Sequence, residues 1–410
     1  MEKLLSGVRI IALEVGLAGP FASMILGDLG AEVIKIEPPE GDATRDLEEA
    51  RRRMVSPTST RGHFYFLAHN RSKKSVVLDL GTPLGKGALF DLIKRSDILL
   101  CNFRAGALAR LGADYETLKK LNPRIIVCNM TGFGSSGPYK DRPCYDLTGY
   151  GWSGMLSICG EPGRKPIKPG SPIGDYGVGL YAIAGILSAL YKRSQTGEGC
   201  QIEVSLLDAC IGLMSSFYSK YFATGEVPGP IGSAHLSVAP SGVYRTKNGY
   251  VALSTCWPRI CRVIDAEWMV EDPRFITLTA RVKNRDELDR IIEERLMRAD
   301  TDEWVELFAV EDIPGAPVNT VDKAAKDPQV LHNNMVLTFN DPSYDQIKVA
   351  GNPIKVVGVK EEYLPPPDTG EHSYEIFSQL LGYSPEQIKQ LEQEQKHHAR
   401  ELEDRLHKKL

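Results

Sequence analysis

The chain has 410 residues, with 49 Lys and Arg against 53 Asp and Glu, for a formal net charge of −4. With 42% hydrophobic and 25% charged residues it has enough apolar surface to fold, which excludes disorder of the whole chain. The near-neutral balance argues against a dedicated nucleic-acid binder, which needs an excess of Lys and Arg to neutralise phosphates.

The first seven residues lack the basic-then-apolar pattern of an exported chain. Residues 8–13 read as a buried strand, 20–29 as a helix with Pro20 in its first turn, and 31–36 as a second strand after Gly30. A strand, helix and strand in about thirty residues make a βαβ unit with parallel strands. Strand-like stretches at 75–79, 98–101 and 125–130 alternate with a helical stretch at 83–95. The pattern predicts an α/β fold, a Rossmann-like doubly wound large domain. A helix over 176–193 is apolar on nearly all sides and is expected to be buried, and its apolar run, 177–191, is too short to span a bilayer. A strand at 201–205 follows. A Gly/Pro linker near 225 introduces a small α+β domain with a hairpin at Asn248-Gly249 and two charged amphipathic helices, 285–297 and 301–310. The expected division is a large domain at 1–200, a linker at 201–225, a small domain at 226–325 and a return linker at 326–380. Residues 381–410 then form a helical segment joining the large domain, its charged end a solvated helix.

The eight cysteines, Cys101, Cys128, Cys144, Cys159, Cys200, Cys210, Cys256 and Cys261, form no C-x-x-C pair, which fits a reducing cytoplasm. The loop Gly16-Leu17-Ala18-Gly19-Pro20 lacks the G-x-G-x-x-G spacing of a dinucleotide site, although Glu37 ends the second strand where a ribose-binding acid sits in such sites. Residues 81–87 are one residue short of a phosphate loop and have Gly87 in place of its hydroxyl. No histidine lies between His69 and His235, so a Ser-His or Cys-His pair needs a base from far along the chain. No histidine spacing matches a zinc site, no metal is expected, and His397-His398 reads as a solvated pair.

The informative stretch is Ser171-Pro172-Ile173-Gly174-Asp175-Tyr176-Gly177-Val178-Gly179. Asp175 stands at the start of a long apolar helix, where an ordinary N-cap is one reading. The flanking Gly174, Gly177 and Gly179 are more than a cap requires and are expected to open room for a ligand. A helix N-terminus also favours an ionised nucleophile and offers amides to an oxyanion.

These residues, with Ala18-Gly19-Pro20, the run 29–37, Asn102-Phe103-Arg104, Gly106-Ala107-Leu108, Arg110, Gly132-Phe133-Gly134, Gly137-Pro138-Tyr139, Tyr145-Asp146-Leu147, Gly197-Glu198-Gly199, Asp272-Pro273-Arg274-Phe275 and Gly382-Tyr383-Ser384, stand in an order that resembles the class III CoA-transferases, the formyl-CoA and carnitine CoA-transferase type of the CaiB/BaiF family. The resemblance covers essentially the whole chain. It implies that Asp175 attacks an acyl-CoA, and that CoA passes through an aspartyl anhydride and an aspartyl-CoA thioester to a free carboxylic acid. It implies CoA contacts at Leu17, Ala18, Leu78, Gly81, Asn102, Phe103, Arg104, Arg110, Cys144, Tyr145 and Asp146, with Lys73 and Lys74 near the phosphates. CoA is substrate, with no tightly bound cofactor, and the protein is an interlocked homodimer. Pro38 stands where many relatives have an arginine. Related 2-methylacyl-CoA racemases have histidine at the position of Tyr145, and a tyrosine with an ordinary pKa near 10 is a poor α-proton base, which favours transferase over racemase. A silent CoA-binding homologue is a further alternative, against which Asp175 argues. The stretch 254–258 lacks a glycine-rich lid, and Cys256 and Trp257 are candidates for the acceptor pocket or for core packing.

Overall fold

The computed structural model describes residues 2–45, 63–254, 256–341 and 345–407. Thr255, within the stretch set against a glycine lid, lies outside them. The described chain divides into two compact units. The first comprises residues 1–155, 169–222 and 334–410, and the second residues 156–168 and 223–333.

The first unit is built on six parallel strands: β1 (Arg9–Leu13), β2 (Glu32–Glu37), β3 (Lys73–Val77), β4 (Ile98–Cys101), β5 (Ile126–Thr131) and β6 (Gln201–Ser205), in the order β3-β2-β1-β4-β5-β6. Their apolar runs, such as Ile10 to Leu13 and Ile98 to Leu100, are wholly buried, as a parallel sheet covered on both faces requires. Helix α1 (Ala18–Asp28) returns the chain from β1 to β2; α2 (Phe64–His69) precedes β3, and α3 (Pro83–Lys94) leads into β4. Then come α4 (Asp146–Ser153), α5 (Ile173–Thr196) and α6 (Leu206–Leu213). The chain leaves β1 toward one side of the sheet and β4 toward the other, so a crevice opens between the carboxyl ends of these neighbours.

Helix α5 is longer than expected and is not buried all round. Val178, Ala182, Ile183, Ile186 and Ala189 are buried, while Leu180, Tyr181, Leu187 and Tyr191 are exposed. By length and composition the helix could cross a membrane, but it packs on α1, β5 and β6.

Residues 334–380 do not form a mere return connection. They include a hairpin of Val336–Asp341 with Asp345–Ala350, which sets Ile347 against Phe66 and Leu67 of α2. Further on, the Leu364 carbonyl accepts from Ser72 N, and Ser75 O accepts from His372 N. The C-terminal helix, Pro385–His407, is not solvated all round either, because Ile388 and Leu391 enter the core of the first unit.

The second unit carries a three-stranded antiparallel sheet of Ser241–Arg245, Tyr250–Ser254 and Gly315–Pro317, with the hairpin at Asn248-Gly249 as expected. Helices Arg285–Leu296 and Thr301–Val310 bury Leu288, Ile292, Trp304 and Phe308 beside it. Residues 156–168 belong to this unit, not to the large domain as the sequence boundaries had them; the Gly160 carbonyl accepts from Gly232 N there. Cys256 is sealed in its core, and Trp257 packs against that core with the Arg281 guanidinium 4.6 Å from its ring.

Candidate active site

The crevice at the β1/β4 switch continues into a cleft of about 880 Å³ across the carboxyl ends of β1 to β4. Leu78, Gly81, Phe103 and Arg110 line it together. An adjoining cavity of about 410 Å³ lies toward β5 and β6, shares Phe103 and takes in Arg104. Asn102 serves the scaffold. Its Oδ1 accepts from Val15 N at 2.9 Å and its Nδ2 donates to Val15 O at 2.7 Å, which joins the loops after β1 and β4. Gly16, at φ +79°, lets the first of these loops turn. Leu17 is buried at the start of α1 and Ala18 opens that helix.

The cleft is lined by more acids than cations, yet several acids are neutralised from behind. Lys73 Nζ donates to Glu14 Oε1 at 2.6 Å, to Asn70 Oδ1 at 2.9 Å and to the Pro20 carbonyl at 3.0 Å. Lys35 Nζ lies 2.7 Å from Asp42 Oδ2, and Arg45 grips both oxygens of Glu37 at 2.7 Å. Glu37 is therefore a structural partner of Arg45 in this fold. Burial pushes Lys73 down to about 8 in spite of Glu14. Lys73 is thus enclosed, and Lys74 is held by Glu32 at 3.0 Å and Glu375 at 2.8 Å, so neither presents the free phosphate-binding ammonium that was expected. The cations that line the cleft are Lys86 and Arg110, and neither makes an ion pair among the described residues. Lys86 was missed because it lay in a failed phosphate-loop pattern. That pattern also fails structurally: Thr82 caps α3 through Gly85 N, and the Glu394 carboxylate takes Leu84 N at 3.0 Å.

Cys144, Tyr145, Asp146 and Asp175 gather elsewhere, where the first turns of α4 and α5 meet. Asp175 is not an N-cap. Pro172 holds the cap position and Asp175 is the third helical residue, half-buried. The capping is done from α4: Asp146 Oδ1 accepts from Asp175 N at 3.3 Å, and Tyr150 Oη accepts from Gly174 N at 3.0 Å. Cys144 packs on Gly132, where a Cβ would lie 2.4 Å from its own, and Tyr145 is 76% exposed.

The glycines of α5 do not open a pocket. A Cβ on Gly174 would meet Asp146 Oδ1 and Cys210 Sγ at 3.0 Å, and on Gly177 it would meet Leu213 Cδ1 at 2.8 Å. On Gly179 it would lie 2.7 Å from Phe21 Cδ1 and 3.1 Å from Ala18 O. They let α1, α4 and α6 approach α5 closely, and this holds Asp175 in place.

The sequence reading also missed the groups beside Asp175. His69 Nδ1 lies 2.9 Å from the Tyr65 carbonyl, which only accepts, so that nitrogen carries the proton. His69 Nε2 then accepts from Tyr176 Oη at 3.0 Å. Burial keeps His69 below its ordinary pKa. Burial, and then the charge of Asp175, pushes the Tyr65 phenol up to about 12 and raises Tyr176 as well. Asp175 is thus a carboxylate among hydroxyls that stay protonated. Such a group can attack a carbonyl, and with the Tyr176 hydroxyl committed to His69 the Tyr65 phenol is the neighbour that can donate to an oxyanion. Among the described residues no cluster of His, Cys, Asp or Glu is arranged for a metal ion.

The profile of CoA-transferase family III matches residues 5–373. A succinyl-CoA:glutarate CoA-transferase of Homo sapiens is 34% identical over 395 residues, covering 95% of this chain and 89% of that protein. An acetyl-CoA:oxalate CoA-transferase of Acetobacter aceti is 33% identical over 363 residues, covering 87% and 90%. A crystal structure of a CaiB/BaiF family protein from Brucella suis superposes with a TM-score of 0.81 at 33% identity, over 93% of this chain and all of that one.

Proposed function

The chain belongs to CoA-transferase family III, and from that premise we propose that it moves CoA from an acyl-CoA donor to a free carboxylic acid through covalent steps on Asp175. The observation that carries this reading is the placement of Asp175: a half-buried carboxylate in the first turn of α5, its backbone amide held by Asp146, among protonated tyrosines.

Asp175 attacks the thioester carbonyl, the C–S bond breaks, CoA thiolate leaves and an aspartyl-acyl anhydride remains. The thiolate attacks the aspartyl carbonyl, releases the donor acid and leaves an aspartyl-CoA thioester. The acceptor carboxylate displaces the thiolate to give a second anhydride. The thiolate then takes the new acyl group and restores Asp175. Tyr65 is the O–H donor for the tetrahedral intermediates. The cleft lined by Leu78, Gly81, Phe103, Lys86 and Arg110 takes the nucleotide part of CoA, and Lys86 and Arg110 meet its phosphates. Leu17 and Ala18 at the start of α1, Asn102 between the loops after β1 and β4, and Arg104 in the adjoining cavity complete the proposed CoA contacts, with Cys144, Tyr145 and Asp146 at the start of α4, where Asp146 holds the Asp175 amide. The working form is an interlocked homodimer in the cytoplasm, the exposed Leu180, Tyr181, Leu187 and Tyr191 of α5 being covered by the second copy.

The racemase alternative needs a second base at Asp175. His69 is the histidine bonded to its neighbour Tyr176, but both His69 nitrogens are engaged and the ring is buried. The silent homologue is opposed by the retained carboxylate.

The test is mass spectrometry of the enzyme incubated with succinyl-CoA and trapped with hydroxylamine or borohydride. Modification at Asp175 is expected. Asp175→Ala should lose at least roughly 10³-fold in CoA transfer. Undiminished transfer by that variant, or exchange of the α-hydrogen with deuterated water in the absence of an acceptor acid, overturns the reading.

A further inference from the structure

The wall of the cleft from Asp79 to Lys86 is a loop and the first turn of α3, and much of its hydrogen bonding goes to the C-terminal helix rather than to the sheet. Asp79 N donates to Gln395 Oε1 at 2.6 Å, and Leu84 N donates to Glu394 Oε2 at 3.0 Å. The Asp79 carboxylate accepts from Gly81 N at 2.8 Å through Oδ1 and is bonded to His398 Nδ1 at 2.6 Å through Oδ2. The fit is close: a Cβ on Gly81 would lie 2.6 Å from His398 Cε1. Glu394, Gln395 and His398 fall on one face of the helix, at positions i, i+1 and i+4. The helix is anchored independently, since Ile388 and Leu391 are in the core and Tyr383 Oη, just before it, donates to Asp91 at 2.8 Å.

We infer that the C-terminal helix is a strut that sets the Asp79–Lys86 wall, and that Gln395 and His398 are positioning residues for acyl-CoA binding. The inference rests on the reading of this cleft as the CoA site. The wall carries four lining residues, Asp79, Leu80, Gly81 and Lys86, and Lys86 is one of the two cleft cations without an ion pair among the described residues. A loop released from the helix spreads these groups over many positions, and the ordering cost then falls on CoA binding. None of the three contacts involves Asp175 or its hydroxyl neighbours. Loss of the strut therefore weakens the grip on CoA and leaves the chemical step and the acceptor unaffected.

The experiment measures CoA binding by titration calorimetry, steady-state kinetics and amide hydrogen exchange in the full chain. Gln395→Ala/His398→Ala should raise the Kd for CoA and the KM for the acyl-CoA roughly tenfold, with kcat and the acceptor KM within about twofold of wild type. The Asp79 amide should exchange faster. His398→Gln, whose side-chain amide still donates to Asp79, should bind CoA within about threefold of wild type, and the exposed Lys396→Ala should match wild type. An unchanged Kd in the double variant overturns the strut. So does a His398→Gln variant as weak as His398→Ala, or a fall in kcat that accounts for the whole loss. Failure of the wild-type chain to bind CoA is a different result: it removes the reading of the cleft, and this inference with it.

Discussion

The two units use the same charged residue types in opposite ways. In the first unit the cleft-lining Glu14, Glu37 and Asp42 and the Lys35 and Lys73 behind them are all buried, and Arg71 with Asp28 forms a further enclosed ion pair. On the second unit, Arg290 with Glu287 and Glu294, and Arg262 with Glu311, lie at the surface. A buried ion has lost its hydration and depends on its partner, so removing one member strands the other. A surface ion keeps its water, and its partner adds little. The lesson is that the charge pattern of a sequence says little about energetics until burial is known.

The largest expected effect comes from Arg71→Met. It leaves Asp28 enclosed without the guanidinium that reaches it at 2.7 Å, and it should cost about 3–5 kcal/mol in denaturant unfolding. A loss below about 1 kcal/mol would erase the contrast between the units.

The next test is acid titration. Burial disfavours ionised Glu37, but the hydrogen bonds and charge of Arg45, with Lys35, outweigh it and hold its pKa below the ordinary 4.5. Asp42 is likewise held below 3.8, with Lys35 overcoming burial. Because the folded values are depressed, the stability from these acids is fully present above the unfolded pKa values. It is lost as pH falls through the folded ones. Melting temperature should therefore drop steeply below about pH 4. Glu37→Gln, measured over the same range, should show a shallower acid limb on a lower plateau. An acid limb as steep as wild type would assign the loss to other groups.

The smallest effect is expected at the surface. Arg290→Ala should change stability by about 0.5 kcal/mol or less, with most of that difference gone in 1 M salt. A loss comparable to that of Arg71→Met would show that exposure does not separate the two networks.

Much of the architecture was legible in the chain. The β1-α1-β2 unit, the later strands, the Asn248-Gly249 hairpin and the two amphipathic helices follow from period and turn chemistry, which act over a few residues. Motif order carried the family. The side-chain partnerships were hidden. Lys73 and Lys74 read as phosphate-binding cations because nothing local marks one as facing Glu14 and the other as taken by Glu375, 301 residues away. The glycines around Asp175 read as space for a ligand because a missing side chain looks the same whether a helix or a substrate fills the gap. His398 read as solvated because its partner, Asp79, lies 319 residues earlier.

The sequence by itself determined the alternation of strands and helices, the family and the candidate nucleophile, since hydrophobic period, turn residues and motif order are written in short stretches. Only the tertiary structure decided which cations face the cleft, that close helix packing rather than a ligand fills the gaps left by the glycines flanking Asp175, and that His69 reaches Tyr176. Those outcomes depend on which distant segments meet and on how much water is excluded where they do.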